Sequence, residues 1–313
     1  MSVKVQDKSS IAGWSHLIKN YLREVRKVSN EKKISEILDS FAGDLEANER
    51  FAVVAYKDGK PVGYLTGRPY GIVFETSSFY LLHEALEGAT DVQLVDTLAQ
   101  KAFNELGFHY FRQNIALPFE FSPTFLTDLK EKDFKVIERC EMSINPKQTE
   151  ILEPTLPPTY SFELFRKEKA KEVIRLICEA NEPGHPDLAI YPEMREMESI
   201  FRIFARLTEE FEALDVTLNP VIVKGKGLVG ASIVLKDSPT EAYIAQASIN
   251  PHHQKQGLGK ALMYKIITEC KNQGINRLLL AVTKNNFPAY KLYQKLGFKE
   301  IAQYLAIGKE KQK

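Results

Sequence analysis

Gln254-Lys255-Gln256-Gly257-Leu258-Gly259 joins a β-rich run ending near Ile249 to an apolar-periodic run beginning near Ala261. A strand must therefore turn through glycines and feed directly into a helix. Glycines reach positive φ and keep side chains off the backbone, so the N–H groups of such a turn face open space together. The positive end of the helix behind them favours an anion by about 0.3–1 kcal/mol at an exposed site. Lys255 and Lys260 add positive charge at the rim. The stretch reads as an anion cradle suited to a pyrophosphate; taken alone, it is also an ordinary strand-to-helix turn.

A second stretch, Asn285-Asn286-Phe287-Pro288-Ala289-Tyr290-Lys291-Leu292-Tyr293-Gln294-Lys295-Leu296-Gly297-Phe298, reads as a helix stopped by glycine. The cradle, as Q-x-x-G-x-G, resembles the acyl-CoA-binding motif of the GCN5-related N-acetyltransferase superfamily. The later stretch is similar to that superfamily's N-x-x-A-x-x-L-Y-x-K-x-G-F signature, filled by Asn286, Ala289, Leu292, Tyr293, Lys295, Gly297 and Phe298. Each motif alone has a structural reading; their order and pairing carry the resemblance.

The resemblance implies an α+β (α/β/α) fold and acetyl-CoA as acyl donor. It assigns the pantetheine arm to Ala247, Ser248 and Ile249, and the pyrophosphate end to Gln254, Lys255, Gln256, Gly257, Leu258, Gly259 and Lys260. Asn286 would make a polar cofactor contact, and Tyr293 would be the general acid for the leaving thiolate, against the plainer reading of a packed aromatic. Where members of the superfamily carry a glutamate base, this chain has Tyr243 and Ala281; Glu241 has the strand parity of Tyr243 but lies further out. The base would then act through water or be dispensable for a weakly basic acceptor.

At 313 residues the chain exceeds one ordinary domain of about 150. Matching element orders make it a tandem: residues 1–150 a degenerate acetyltransferase-like domain and residues 151–313 the acyl-CoA-binding catalytic domain, each a mixed, mostly antiparallel sheet flanked by helices. The first half reads as helices over 10–28 and 31–41, a hairpin over 50–66, then strand 79–86, helix 92–106, strand 108–116, helix 122–132 and strand 135–144. The second reads as helices over 169–179 and 193–211, a hairpin over 219–235, then strand 241–249, helix 259–272, strand 277–282, helix 287–296 and strand 299–307. The proline-punctuated stretch from Asn145 to Pro158 separates them. Sliding one half on the other sets Glu87, Thr90 and Val92 against Gln254, Gly257 and Gly259, and Leu129 against Tyr293, so the first half lacks both cradle and phenol.

A net charge of +1 argues against a general nucleic-acid or membrane-surface role. Three scattered cysteines, a polar start and no run of about 18 apolar residues point to the cytoplasm. Gly225-Lys226-Gly227-Leu228-Val229-Gly230 has the form of a dinucleotide loop, but β-type runs on both sides make it a hairpin turn. The adjacent His252 and His253 read as a solvent-facing pair, and no metal is assigned. Asp187, Glu193, Glu196 and Glu198 lie where the superfamily covers its acceptor, and either draw a cationic amine or form a solvated face. The leading expectation is transfer to a small-molecule or peptide amine. The alternatives are a CoA-occupied sensor or scaffold and an aminoacyl transferase of tandem fold.

Overall fold

The computed structural model describes residues 4–85, 89–116, 122–150, 155–210 and 214–312. The chain divides into two compact units, Met1–Val136 with Leu305–Lys313, and Ile137–Tyr304. The chain's end thus completes unit 1, and the proline-punctuated stretch runs within unit 2.

Unit 1 opens with β1 (Lys4–Lys8), a strand the sequence pattern conceals. It lies at the sheet edge, antiparallel to the next strand and largely exposed, so it needs no apolar alternation. The expected first helix is α1 (Ser15–Asn20) passing into a π-helical turn at Tyr21–Val25. Then come α2 (Glu31–Glu46), β2 (Phe51–Lys57), β3 (Lys60–Tyr70), β4 (Val73–Leu81), α3 (Thr90–Asn104), β5 (Tyr110–Ala116) and α4 (Phe125–Glu131). The β2–β3 turn has Asp58 at φ 53° and Gly59 at φ 76°, the paired positive values of a tight hairpin. The strand expected from Phe79 begins earlier, at Val73, where it pairs parallel with β5.

Unit 2 contains most of β6 (Lys135–Ile144), β7 (Tyr160–Leu164), α5 (Ala170–Ala180), α6 (Met197–Glu210), β8 (Pro220–Lys224), β9 (Gly227–Lys236), β10 (Glu241–Ile249), α7 (Leu258–Asn272), β11 (Arg277–Thr283), α8 (Phe287–Lys295) and the first part of β12 (Lys299–Glu310). β7 also escapes the sequence reading. The strand order is β12-β6-β11-β10-β9-β8-β7, with β10 and β11 parallel and β7/β8, β8/β9, β9/β10 and β6/β11 antiparallel. The Gly225–Gly230 motif is the β8–β9 hairpin, with Gly225 at φ 61°.

Alternation along the strands gives this sheet two apolar faces. Ile222, Val234, Ile244, Leu278 and Leu280 pack with Leu258, Leu262, Met263 and Ile266 of α7. Val221, Val223, Ile233 and Leu235 pack with Val173, Ile174 and Ile177 of α5. Burying each such side chain is worth roughly 1.5–3 kcal/mol, which fixes the helices on opposite faces and the strand-end loops between them. The α+β class expected from the sequence is the one observed.

The units differ at one corresponding helix start. α7 follows Gly257 at φ 82°, and α3 follows Ala89 at φ 55°, so Ala89 matches Gly257, one residue before the expected Thr90. Glu87 lies outside the described residues. In unit 1 the buried carboxylate of Asp91 fills this end: Oδ1 accepts the Val92 N–H at 2.8 Å and the Ser122 hydroxyl at 3.0 Å, and Oδ2 accepts the Ser122 N–H at 2.8 Å. Leu129, set against Tyr293, is fully buried in the unit 1 core.

Candidate active site

β10 pairs with β11 from Glu241↔Arg277 to Ile244↔Leu280, and there the parallel ladder stops. On its other side it continues pairing with β9 to Ile249↔Gly230, after a register shift between Ile244 and Gln246. The shift is visible in the side chains: Ala242 and Ile244 join the α7-side core before it, Ala247 and Ile249 after it, and Ala245 packs on the α5 side. Alternate residues over 246–249 therefore turn N–H and C=O groups toward a side with no strand partner. Such an edge accepts an extended ligand as an added strand. Ala247, Ser248 and Ile249 lie along it; Ser248 is buried and its hydroxyl accepts from Gln246 Nε2 at 2.8 Å.

The strand leads through a short 3₁₀ turn, Pro251–His253, into the cradle. Lys255 at φ 60° and Gly257 at φ 82° bend the backbone at alternate positions, the kind of bend that gathers N–H groups into an anion-binding concavity. Gln254, Lys255, Gln256, Gly257 and Lys260 are exposed, whereas the Leu258 side chain belongs to the core and leaves only its backbone to the site. Gln254 Nε2 donates to the Ile249 carbonyl at 3.3 Å. The Tyr160 hydroxyl on β7 donates to Gln256 Oε1 at 2.8 Å and lies 2.9 Å from His253 Nδ1. Its one proton being committed, His253 must donate from Nδ1. His252 is exposed, but His253 is half-buried, its ring edge-on to Tyr160 at 5.8 Å, which corrects the reading of a solvent-facing pair.

α8 approaches the same place. A Cβ on Gly259 would stand 3.7 Å from Leu292 Cδ2 and 3.9 Å from Ile249 Cγ1, so the start of α7, the end of β10 and the middle of α8 converge. Asn286 caps α8, its side chain accepting from the Ala289 N–H at 3.4 Å. Tyr293, the neighbour of Leu292, is half-buried, with its ring 5.8 Å from Phe298. Burial first, and the Asp187 carboxylate second, push its phenol up to about 12. Among the described residues its hydroxyl has no hydrogen-bond partner.

The sheet face away from α7 carries a polar cluster that the sequence reading missed. Arg139 on β6, beside Thr283 in register, is 8% exposed; Nε donates to the Tyr304 hydroxyl at 2.9 Å, and Nη1 to Thr283 Oγ1 at 2.9 Å and Asp187 Oδ1 at 3.2 Å. Thr283 also donates to Asp187, and the guanidinium lies 4.8 Å from the centre of the Tyr191 ring. Burial raises the Tyr243 phenol well above its usual value, with Tyr304 adding to the shift and Arg139 opposing it. Of the expected acidic group, Asp187 and Glu193 are turned inward, while Glu196 and Glu198 face solvent, Glu198 paired with Arg202 at 2.7 Å. Glu241 begins the strand at the closed end of the split, paired with Arg277 at 3.0 Å. A charge pattern alone could suggest Asp187, but its buried partner comes from a distant strand. Among the described residues, no group of three or more potential ligands could hold a metal ion, and no helix is long and apolar enough to cross a membrane.

Residues 175–298 match the acetyltransferase (GNAT) family. The chain is 40% identical over 60 residues to the [ribosomal protein bS18]-alanine N-acetyltransferase of Escherichia coli (strain K12), covering 19% of this chain and 40% of that one. It is 37% identical over 71 residues to a putative enzyme of the same name from Bacillus subtilis (strain 168), covering 23% and 44%. The chain thus spans less than half the length of these relatives. Among solved structures, a GCN5-related N-acetyltransferase from Sphaerobacter thermophilus superposes with a TM-score of 0.64 at 15% identity, over 98% of this chain and 95% of that one. A tandem GNAT protein from the clavulanic acid biosynthesis pathway gives 0.56 at 11%, over 99% and 98%. At these identities the structures establish a shared fold.

Proposed function

We propose, from the premise that residues 175–298 are a domain of the acetyltransferase (GNAT) family, that the protein transfers an acetyl group from acetyl-CoA directly to a primary amine of a small molecule or peptide. The observation that carries this reading is the split between β10 and β11 leading into the glycine cradle. The open edge at Ala247–Ile249 suits the amide-bearing pantetheine arm, and the N–H groups from Lys255 to Lys260 suit the pyrophosphate.

The reaction forms an N–C bond as the C–S bond breaks, and moves one proton from nitrogen to sulfur. An amine with a pKa near 10.4 costs roughly 4–5 kcal/mol to deprotonate at pH 7. With Tyr243 and Ala281 at the two positions where the superfamily can carry a glutamate, that proton leaves through water or a more remote group. Tyr293, holding its proton throughout the neutral range, is assigned to the sulfur as general acid. Asn286, already the cap of α8, would orient this helix toward the donor.

Titration calorimetry with acetyl-CoA, followed by mass detection of acetylated products from an amine panel, tests the proposal. Saturable heat and an acetylated product are expected. Heat without product from any amine would favour a CoA-bound sensor, and no heat at all would remove the donor assignment.

A further inference from the structure

This inference rests on the acetyltransferase reading and narrows its acceptor. Arg139 is more than nine-tenths buried, yet its donor fork is only partly used. Nε serves Tyr304, and Nη1 serves Thr283 and Asp187. Among the described residues Nη2 donates to nothing. Held on a side chain that is 9% exposed, this open donor suits an anionic acceptor that arrives with a ligand.

Asp187 is its counterpart. Oδ1 accepts from both Arg139 and Thr283. Oδ2 has only His185 Nδ1 at 3.9 Å, and that nitrogen accepts the Asp187 N–H at 3.3 Å, so it presents a lone pair and no proton. One open acceptor and one open donor thus belong to a single ion pair. Thr283, in register with Arg139, lies three residues past Leu280, the last β11 residue paired with β10, so the pair sits where the split has opened.

We propose that the acceptor is a small zwitterion of the α-amino-acid class, its amine on Asp187 Oδ2 and its carboxylate on Arg139 Nη2. The pair's own charges cancel, so a zwitterion adds no uncompensated charge to a buried face. A simple amine, or a peptide amino terminus whose first carboxyl is tied up as an amide, offers the Nη2 donor no carboxylate.

Calorimetry on CoA-saturated protein compares a panel of α-amino acids with their α-amides and with the matching amines that lack the carboxylate. At least one amino acid is expected to bind at least about tenfold more tightly than its amide and its amine. In Arg139→Lys, which keeps the charge but loses the fork, that ratio is expected to fall to within about twofold while CoA binding is unchanged. Equal or tighter binding of the amides overturns the proposal, as does a ratio that survives Arg139→Lys. Should Arg139→Lys fail to bind CoA, the comparison in the unaltered protein decides alone. CoA heat without amino-acid binding sinks only this inference; absence of CoA heat removes the acetyltransferase reading and this inference with it.

Discussion

The Tyr160 hydroxyl on β7 donates to Gln256 Oε1 in the cradle at 2.8 Å, tying a buried strand residue to an exposed loop. The loop needs such a tie, because its backbone takes positive φ at both Lys255 and Gly257. Tyr160→Phe keeps the packed ring and removes only this bond and the one to His253. A neutral hydrogen bond is worth about 1 kcal/mol, roughly a fivefold change. The KM for acetyl-CoA is therefore expected to rise about fivefold with kcat unchanged, as steady-state kinetics at saturating acceptor would read.

Tyr293 has no hydrogen-bond partner among the described residues, so Tyr293→Phe should leave the melting temperature nearly unchanged. If the hydroxyl protonates the sulfur, kcat falls by a factor on the order of 10²–10⁴ while acetyl-CoA affinity holds. The phenol, pushed up to about 12 by burial and then by Asp187, stays protonated well past pH 10. The rate should thus rise with pH as the acceptor amine deprotonates, without an alkaline fall below about pH 10. An equal rate in Tyr293→Phe would return this residue to the role of packed aromatic.

The same phenol bears on stability. A group with a folded pKa of about 12 against an ordinary 10.0 ionises first in the unfolded chain as pH rises. Its stabilising contribution is complete below pH 10 and is lost as pH climbs through 12; Tyr80, raised to about 12 by burial and Glu24, acts in the same direction. Denaturant unfolding should therefore show a plateau to about pH 9.5 and a decline above it, smaller in Tyr293→Phe.

Features carried by local pattern were legible in the sequence, and those made by distant partners were not. The glycine loop, the Asp58-Gly59 turn and the glycine-stopped α8 each announce themselves within a few residues. β1 and β7 are concealed because a short strand at the edge of its own unit's sheet needs little apolar alternation. The split after Ile244↔Leu280 is a matter of register, which no periodicity encodes. Arg139 looks like an ordinary strand cation until Asp187, Thr283 and Tyr304 are seen around it. His253 reads as solvent-facing in the sequence because its partner, Tyr160, comes from a strand that local pattern does not reveal.

Gly257 and Gly259 should separate stability from binding. Gly257 sits at φ 82° with open space around a would-be Cβ, so Gly257→Ala introduces backbone strain alone, about 1–2 kcal/mol, and loosens the cradle. Gly259 lies within the first turn of α7, where an added Cβ meets Leu292 and Ile249 at ordinary contact distances of 3.7 and 3.9 Å. Gly259→Ala gains about 0.5–1 kcal/mol of helix stability but puts a methyl group into the cradle. Its melting temperature should rise while its affinity for acetyl-CoA falls, whereas both should fall in Gly257→Ala. Calorimetry on the two variants side by side would show this; unchanged affinity in Gly259→Ala would mean that the donor does not approach this backbone.

Asp91 leads to the expectation of one acetyl-CoA per chain. At the start of α3 its buried carboxylate already accepts from Val92 N–H, Ser122 N–H and the Ser122 hydroxyl, where the matching end of α7 is an open glycine loop. A second anion there would face an uncompensated negative charge in a desolvated place, a cost far above the 0.3–1 kcal/mol that a helix end offers. Removing the carboxylate frees the helix end but leaves Ser122 with unmet donors, so Asp91→Ala should destabilise unit 1 by about 1–3 kcal/mol rather than create a second site. Acetyl-CoA titration should give a stoichiometry near one in both the unaltered protein and Asp91→Ala, and a value near two in either would mean that the first half binds the donor too.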